Sequence, residues 1–160
     1  MADLRAAAQG AGFTGVATLL QSGNLVFDAP GVSPAQAERI LEDALHVHLG
    51  AAAEVVVRTP AAWRASIEAN PFPDAARSDP ARLLMVALKS TPAAGAEAAL
   101  LAAVTGGEQA RLIGGQAYVH FPEGIASSRL TQPVIDRVLR VRGTARNWNT
   151  VLKLAALAGV

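Results

Sequence analysis

Hydrophobic positions along the chain switch between helical and strand spacing, and the switches divide it into short elements. Leu4, Ala7, Ala8 and Ala11 form one helical stripe behind Asp3, a residue suited to a helix cap, and Gly10 and Gly12 end the run. Residues 16–20 and 25–27 read as strands. The turn-forming Gln21-Ser22-Gly23-Asn24 between them predicts a hairpin. Ser33-Pro34-Ala35-Gln36 combines a capping serine, a proline suited to the first turn and a glutamine that completes a capping box. The helix it opens carries Ala37, Ile40, Leu41, Ala44 and Leu45 as its expected buried stripe and stops at Gly50. Residues 54–58, Glu-Val-Val-Val-Arg, are β-branched and predict a strand. Thr59-Pro60 opens a further helix with Trp63 and Ile67 four apart.

Asn70-Pro71-Phe72-Pro73 halts that helix, because proline removes a donor and restricts the residue before it. A loop is expected through Asp79-Pro80, and a strand over 82–89. Thr91-Pro92 starts a helix with Leu100, Leu101 and Val104. Residues 110–113 and 116–121 flank Gly114-Gly115, a two-residue hairpin signal. The next helix carries Leu130, Val134, Val138 and Val141. It is capped at Ser127 or Ser128, or begins at Gln132 beside Pro133, and Gly143 ends it. Asn147 or Asn149 caps a last helix over 151–157 that is apolar on nearly every side except Lys153, a pattern that predicts burial.

In order, the first half reads α-β-β-α-β and the second β-α-β-β-α followed by a helix. Both contain the core of a split βαβ, ferredoxin-like unit. The expected fold is α+β with antiparallel sheets in two such halves, residues 1–70 and 82–160, joined by a loop over 71–81. The first half is missing its leading strand, and a buried helix closes the second.

Composition narrows the function classes. An apolar fraction of 51% excludes a disordered chain. No cysteine is present, which excludes disulfides, thiolate metal sites and thiol catalysis together and fits a cytoplasmic protein. No apolar run approaches the ~18 residues of a membrane span. Charge is unevenly spread: residues 1–128 sum to −4 and residues 129–160 to +5. A basic C-terminal fifth suits phosphate or nucleic acid, and also suits a solvated face that balances an acidic body.

Phosphate-binding loops and nucleophile elbows are missing from the sequence. His46 and His48 are two apart on a helix, roughly 200° around its axis, and so do not share a metal. Glu38 and Glu42 read as an exposed helix face, and His120 as a satisfied or surface histidine. One cluster stands out. Ser128-Arg129 and the run Arg146-Asn147-Trp148-Asn149 each combine helix-start chemistry with an arginine. Helix N-termini present free N–H groups and partial positive charge, arginine adds paired donors, and Trp148 offers a stacking plate. Capping and a packed tryptophan explain the same residues without a ligand.

Four segments carry a family resemblance: Leu19 to Phe27 (L-L-Q-S-G-N-L-V-F), Asn70-Pro71-Phe72, Tyr118 to Gly124 with Ser128-Arg129-Leu130, and Thr144 to Leu154 (T-A-R-N-W-N-T-V-L-K-L). In this order they resemble the family called domain of unknown function 1697, an uncharacterised bacterial family. The resemblance implies an α+β fold with ferredoxin-like elements and no activity. Members of that family open with a hydrophobic strand and an arginine- and glycine-containing turn. The expectation here is an internal methionine at Met1 and a missing strand, so that the strands near 25–27 and 55–57 do not pair with each other.

The leading expectation is a non-catalytic binding module for an anionic small ligand at Ser128, Arg129, Arg146, Asn147, Trp148 and Asn149, with no cofactor or metal and no membrane partner. A nucleic-acid-binding protein using the basic C-terminal segment is the second class. An enzyme acting on a phosphorylated or carboxylate small molecule is the third, although no acid/base pair is identifiable by spacing. Convergence of Arg129, Arg146 and Asn149 on an open pocket favours a small ligand, a flat basic stripe favours nucleic acid, and burial of all three favours a structural role alone.

Overall fold

A computed structural model describes residues 2–19, 23–50 and 52–160. The chain divides into two compact units, residues 1–63 with 153–160, and residues 64–152. The division falls within helix α3 (Pro60–Glu68).

The first unit contains α1 (Ala2–Gly10), β1 (Thr14–Leu19), β2 (Asn24–Asp28) and α2 (Pro34–Leu49). Asp3 lies within the first turn of α1 rather than at its cap. β1 and β2 form the expected antiparallel hairpin, with Thr18 opposite Leu25; Gln21 and Ser22 of the turn lie outside the described residues. The ladder is irregular between Thr14 and Ala17, where Gly15 adopts φ +59° and a Cβ would sit 2.2 Å from Asp28 Oδ2. α2 begins as its sequence dictates. Ser33 Oγ accepts from Gln36 N, Gln36 Oε1 accepts from Ser33 N, and Gly50 closes the other end in the left-handed region. Ala8, Phe13, Ala37 and Leu41 form the core of this unit, with the Phe13 and Phe27 rings 4.6 Å apart.

Two expectations fail in this unit for one reason. Ala37, Leu41 and Leu45 of the expected stripe are buried and Ala44 is half-buried, but Glu38 joins the buried face and Ile40 lies exposed at its margin. Residues 54–58, expected as a strand, belong to no strand or helix, and as expected they form no ladder with β2 among the described residues. Glu42 Oε1 accepts from Val55 N, and Glu38 Oε1 from Val57 N, each at 2.9 Å. Helix carboxylates thus take the donors that a neighbouring strand would take. Val55 and Val57 still pack on the core, half-buried.

The second unit runs α4 (Pro73–Ser78), β3 (Leu83–Leu88), α5 (Ala96–Ala102), β4 (Gln109–Ile113), β5 (Gln116–His120), α6 (Gln132–Leu139) and β6 (Gly143–Asn147). The chain then enters α7 (Trp148–Leu157). The strands form one antiparallel sheet in the order β4-β5-β3-β6. Gly114 and Gly115 both have positive φ, the requirement of the tight turn their sequence predicted between β4 and β5. α4 occupies the stretch expected to be loop, and β6 the stretch expected to be a helix end and a cap. With β6, the unit has the complete β-α-β-β-α-β connectivity. α6 begins at Gln132, with Pro133 accommodated in its first turn.

One face of the sheet presents Leu84, Val86, Leu88, Ala110, Leu112, Ala117, Val119 and Ala145 to α5 and α6, and this is the main core. α7 buries Val151 and Ala155 but exposes Leu152 and Leu157, so the last helix is buried on one face only. Lys153 is exposed as its chemistry requires.

Candidate functional site

The other face of the sheet is mixed, apolar along β3 and carrying polar side chains on the flanking strands, and the ladder registers define it; it is called the polar face below. Residues directly opposite one another in antiparallel strands point to the same side. Arg111, Tyr118, Met85 and Arg146 therefore form one row across all four strands. Ile113, Gln116, Ala87 and Thr144 form the next, and Gln109, His120 and Leu83 the row on the other side.

This polar face is covered rather than open. Met85 and Tyr118 are fully buried, and Ala87 and Gln116 nearly so. The Tyr118 hydroxyl donates to Ser66 O at 2.6 Å, which ties α3 to the face. Burial pushes the phenol up to about 12. At one end, His120 Nε2 lies 3.3 Å from Asp79 Oδ2, and Arg82 Nη1 lies 4.0 Å from the same oxygen.

Arg146 is half-buried at the β6 edge. Its Nη1 donates to Thr144 Oγ1 at 2.5 Å and to Ala145 O at 2.8 Å. Burial lowers its pKa from the ordinary value, yet a guanidinium stays protonated throughout the physiological range.

The six residues singled out in the sequence do not form one cluster. Ala145 packs on the helix-covered face, so its neighbour Arg146 points to the polar face. Leu130 packs in the helix-covered core, which puts the adjoining Arg129 on that side of the sheet, where it is exposed. Ser128 donates to Glu108, which immediately precedes β4, and accepts from Leu130 N at 2.9 Å. That hydroxyl holds the Glu108 carboxyl below the usual carboxylate range. β4 and β6 are the opposite edges of the sheet, about 14 Å apart at ordinary strand spacing. Asn147 is the cap of α7: its Oδ1 accepts from Thr150 N and Oγ1 at 3.0 and 2.9 Å. Trp148 is buried, with its backbone N donating to Pro80 O, so it offers no stacking plate. Asn149 is exposed.

Sequence reasoning missed Gln116. It is 5% exposed, and its Oε1 is buried without a hydrogen-bond partner. A polar residue just after a hairpin turn reads as solvated, and only the register reveals that it lies under cover. Among the described residues, no three His, Cys, Asp or Glu side chains gather to hold a metal, and no helix is long and apolar enough to cross a membrane.

These features define an α+β protein of two antiparallel-sheet units whose larger sheet has one apolar face and one mixed face. The chain belongs to the family described as "Protein of unknown function (DUF1697)", whose pattern matches residues 1–118. It is similar in structure to a conserved bacterial protein, SP0830, from Streptococcus pneumoniae. The TM-score is 0.70 at 21% identity, over 99% of this chain and 88% of that one, a likeness of fold alone. A comparison with curated proteins finds no match.

Proposed function

We propose that the protein binds a small anionic ligand on the polar face of the four-stranded sheet, with Arg146 as the charged contact. The observation that carries this reading is a half-buried guanidinium on an otherwise covered sheet face. A cation partly withdrawn from water interacts more strongly with an anion than a solvated one does, and its forked donors suit a phosphate or carboxylate. Thr144 Oγ1 supports the guanidinium, Asn147 caps the following helix, and Trp148 anchors the end of β6. Ser128, Arg129 and Asn149 are outside the ligand contact in this reading. The scaffold is read as ferredoxin-like, which the β-α-β-β-α-β order of the second unit supports. The partner is a cytoplasmic small molecule, in keeping with the absence of cysteine. Tyr118 is fully buried and the other ring on this face, His120, lies against Asp79, so the face presents no open stacking platform and nucleic acid is disfavoured.

Thermal melts in sodium phosphate and in sodium chloride of matched ionic strength test the reading. At ten times its Kd, phosphate adds about 1.4 kcal/mol. That raises Tm by about 3–6 °C for a chain of this size. The rise is expected to vanish in Arg146→Met and persist in Arg129→Ala. No phosphate-specific rise in the wild type refutes the proposal.

A further inference from the structure

We infer that the anion received by Arg146 is the carboxylate of a small organic acid, docked on the outer edge of β6 with one oxygen on the guanidinium and the other on Ala145 N. This rests on the anion reading above and deepens it, naming the charged group of the ligand and the backbone donor that completes the site.

One hydrogen bond fixes which backbone groups of β6 face outward. Lys89 N donates to Arg142 O at 2.8 Å, so Arg142, Thr144 and Arg146 turn their backbone groups toward β3. Gly143, Ala145 and Asn147 turn theirs the other way, along the free side of an outermost strand. Side chains of α6 already hold the first of these: Gly143 N donates to Asp136 Oδ1 at 3.2 Å, and Gly143 O accepts from Gln132 Nε2 at 3.3 Å. Ala145 O accepts from Arg146 Nη1 at 2.8 Å. Ala145 N and Asn147 N donate to nothing among the described residues. None of the five residues of β6 is buried, so solvent reaches this edge.

The same arrangement occurs at two other arginines, and there it holds a carboxylate. Arg58 Nη1 donates to Val57 O at 2.8 Å, and Glu38 Oε1 accepts from Val57 N at 2.9 Å while lying 3.9 Å from Arg58 Nη1. On the opposite edge strand, β4, Arg111 Nη1 donates to Ala110 O at 3.1 Å, and Glu97 Oε1 accepts from Leu112 N at 3.3 Å. A guanidinium folded over the preceding carbonyl covers the acceptor on that stretch of edge and leaves donors only. A carboxylate then gains charge-assisted bonds from both. At Arg146 the fold-back and the open N–H groups are in place, and no side chain among the described residues supplies the carboxylate to them. The open stretch is short. Gly143 is already taken, and β6 ends at Asn147 where α7 begins, so too few groups remain for a peptide strand to add by a ladder. A small acid needs only the guanidinium and one N–H.

Amide NMR titrations of the isotope-labelled full chain with sodium propionate and, separately, with sodium phosphate test this at matched ionic strength. Propionate is expected to move the Ala145 amide proton downfield saturably and to leave Gly143, whose N–H Asp136 holds, in place. Arg146→Met should weaken propionate at least tenfold. Ala145→Pro removes the one edge donor, on the solvent side of the strand where proline is tolerated, and should weaken it about tenfold, the weight of a hydrogen bond to a charged group. The wild-type Ala145 shift stands as a readout even if that variant does not fold. Propionate binding that leaves the Ala145 amide unmoved, or phosphate binding without propionate binding, overturns the carboxylate site and leaves the anion reading standing. Failure of both anions to bind the wild type overturns the anion reading and this inference with it.

Discussion

Replacing Gln116 by methionine should make the unliganded protein more stable. Methionine keeps the length and flexibility of the side chain and removes the polar atoms. A buried acceptor without a partner costs about 1–3 kcal/mol relative to its solvated state. Gln116 is 5% exposed and its Oε1 is unpartnered, so most of that cost is present in the folded protein. The expected gain is about 1–2 kcal/mol. With a urea m-value of about 2 kcal/mol/M, the midpoint should rise by about 0.5–1 M. Trp148 is buried in the second unit and reports on it directly, so its fluorescence in a Trp63→Phe background follows the relevant transition. Gln116→Ala removes the side-chain volume as well and should fall below the wild type by about 2 kcal/mol or more. A midpoint lowered by Gln116→Met would show that the amide oxygen is satisfied in the free protein, and the reasoning would fail.

The remaining expectations follow from other contacts. Tyr118 is the only tyrosine, so the phenolate absorbance of the whole protein reports it alone. Its folded pKa is raised to about 12, above an unfolded value of about 10. The stability this contributes is therefore complete below pH ~10 and lost as pH rises through ~12, up to about 3 kcal/mol in all. Phenolate forming near pH 10 in a still-folded protein would contradict it. Gly143→Ala would bring a Cβ within 2.8 Å of Val86 Cγ1 and 2.9 Å of Leu88 Cδ2. Melting should show a loss of about 1–3 kcal/mol from overpacking. Glu38→Leu strips the acceptor from Val57 N and should cost about 1–3 kcal/mol, with Glu38→Gln costing less because it retains an amide oxygen. A thermal melt unmoved by Glu38→Leu would remove the carboxylate from the account of residues 54–58.

Local chemistry was legible where a few adjacent residues decide the structure. The Ser33/Gln36 capping box, the left-handed Gly50 and the Gly114-Gly115 turn all occur where their residue types predicted. β6 was not legible. Gly-Thr-Ala-Arg-Asn has weak strand propensity, and it is extended because β3 offers it an edge, with Met85 opposite Arg146. Glu38 was misread within an otherwise correct α2, since a glutamate on a helix is ordinarily solvated and its burial depends on Val57 N arriving from nineteen residues away. α7 looked buried all round because apolar content does not show how many sides are covered; Leu152 and Leu157 remain exposed. The candidate site divides the same way. The arginines and the cap at Asn147 were visible, but which side of the sheet each takes is set by strand parity, which the sequence shows only once β6 is recognised.

The most direct test of the polar sheet face is a two-dimensional amide NMR titration of the isotope-labelled protein with glycerol 3-phosphate. The account predicts saturable shifts at Thr144 and Arg146, with Ser128 and Arg129 unmoved. Shifts centred on Ser128 and Arg129, or no saturable shift at Arg146, would contradict it.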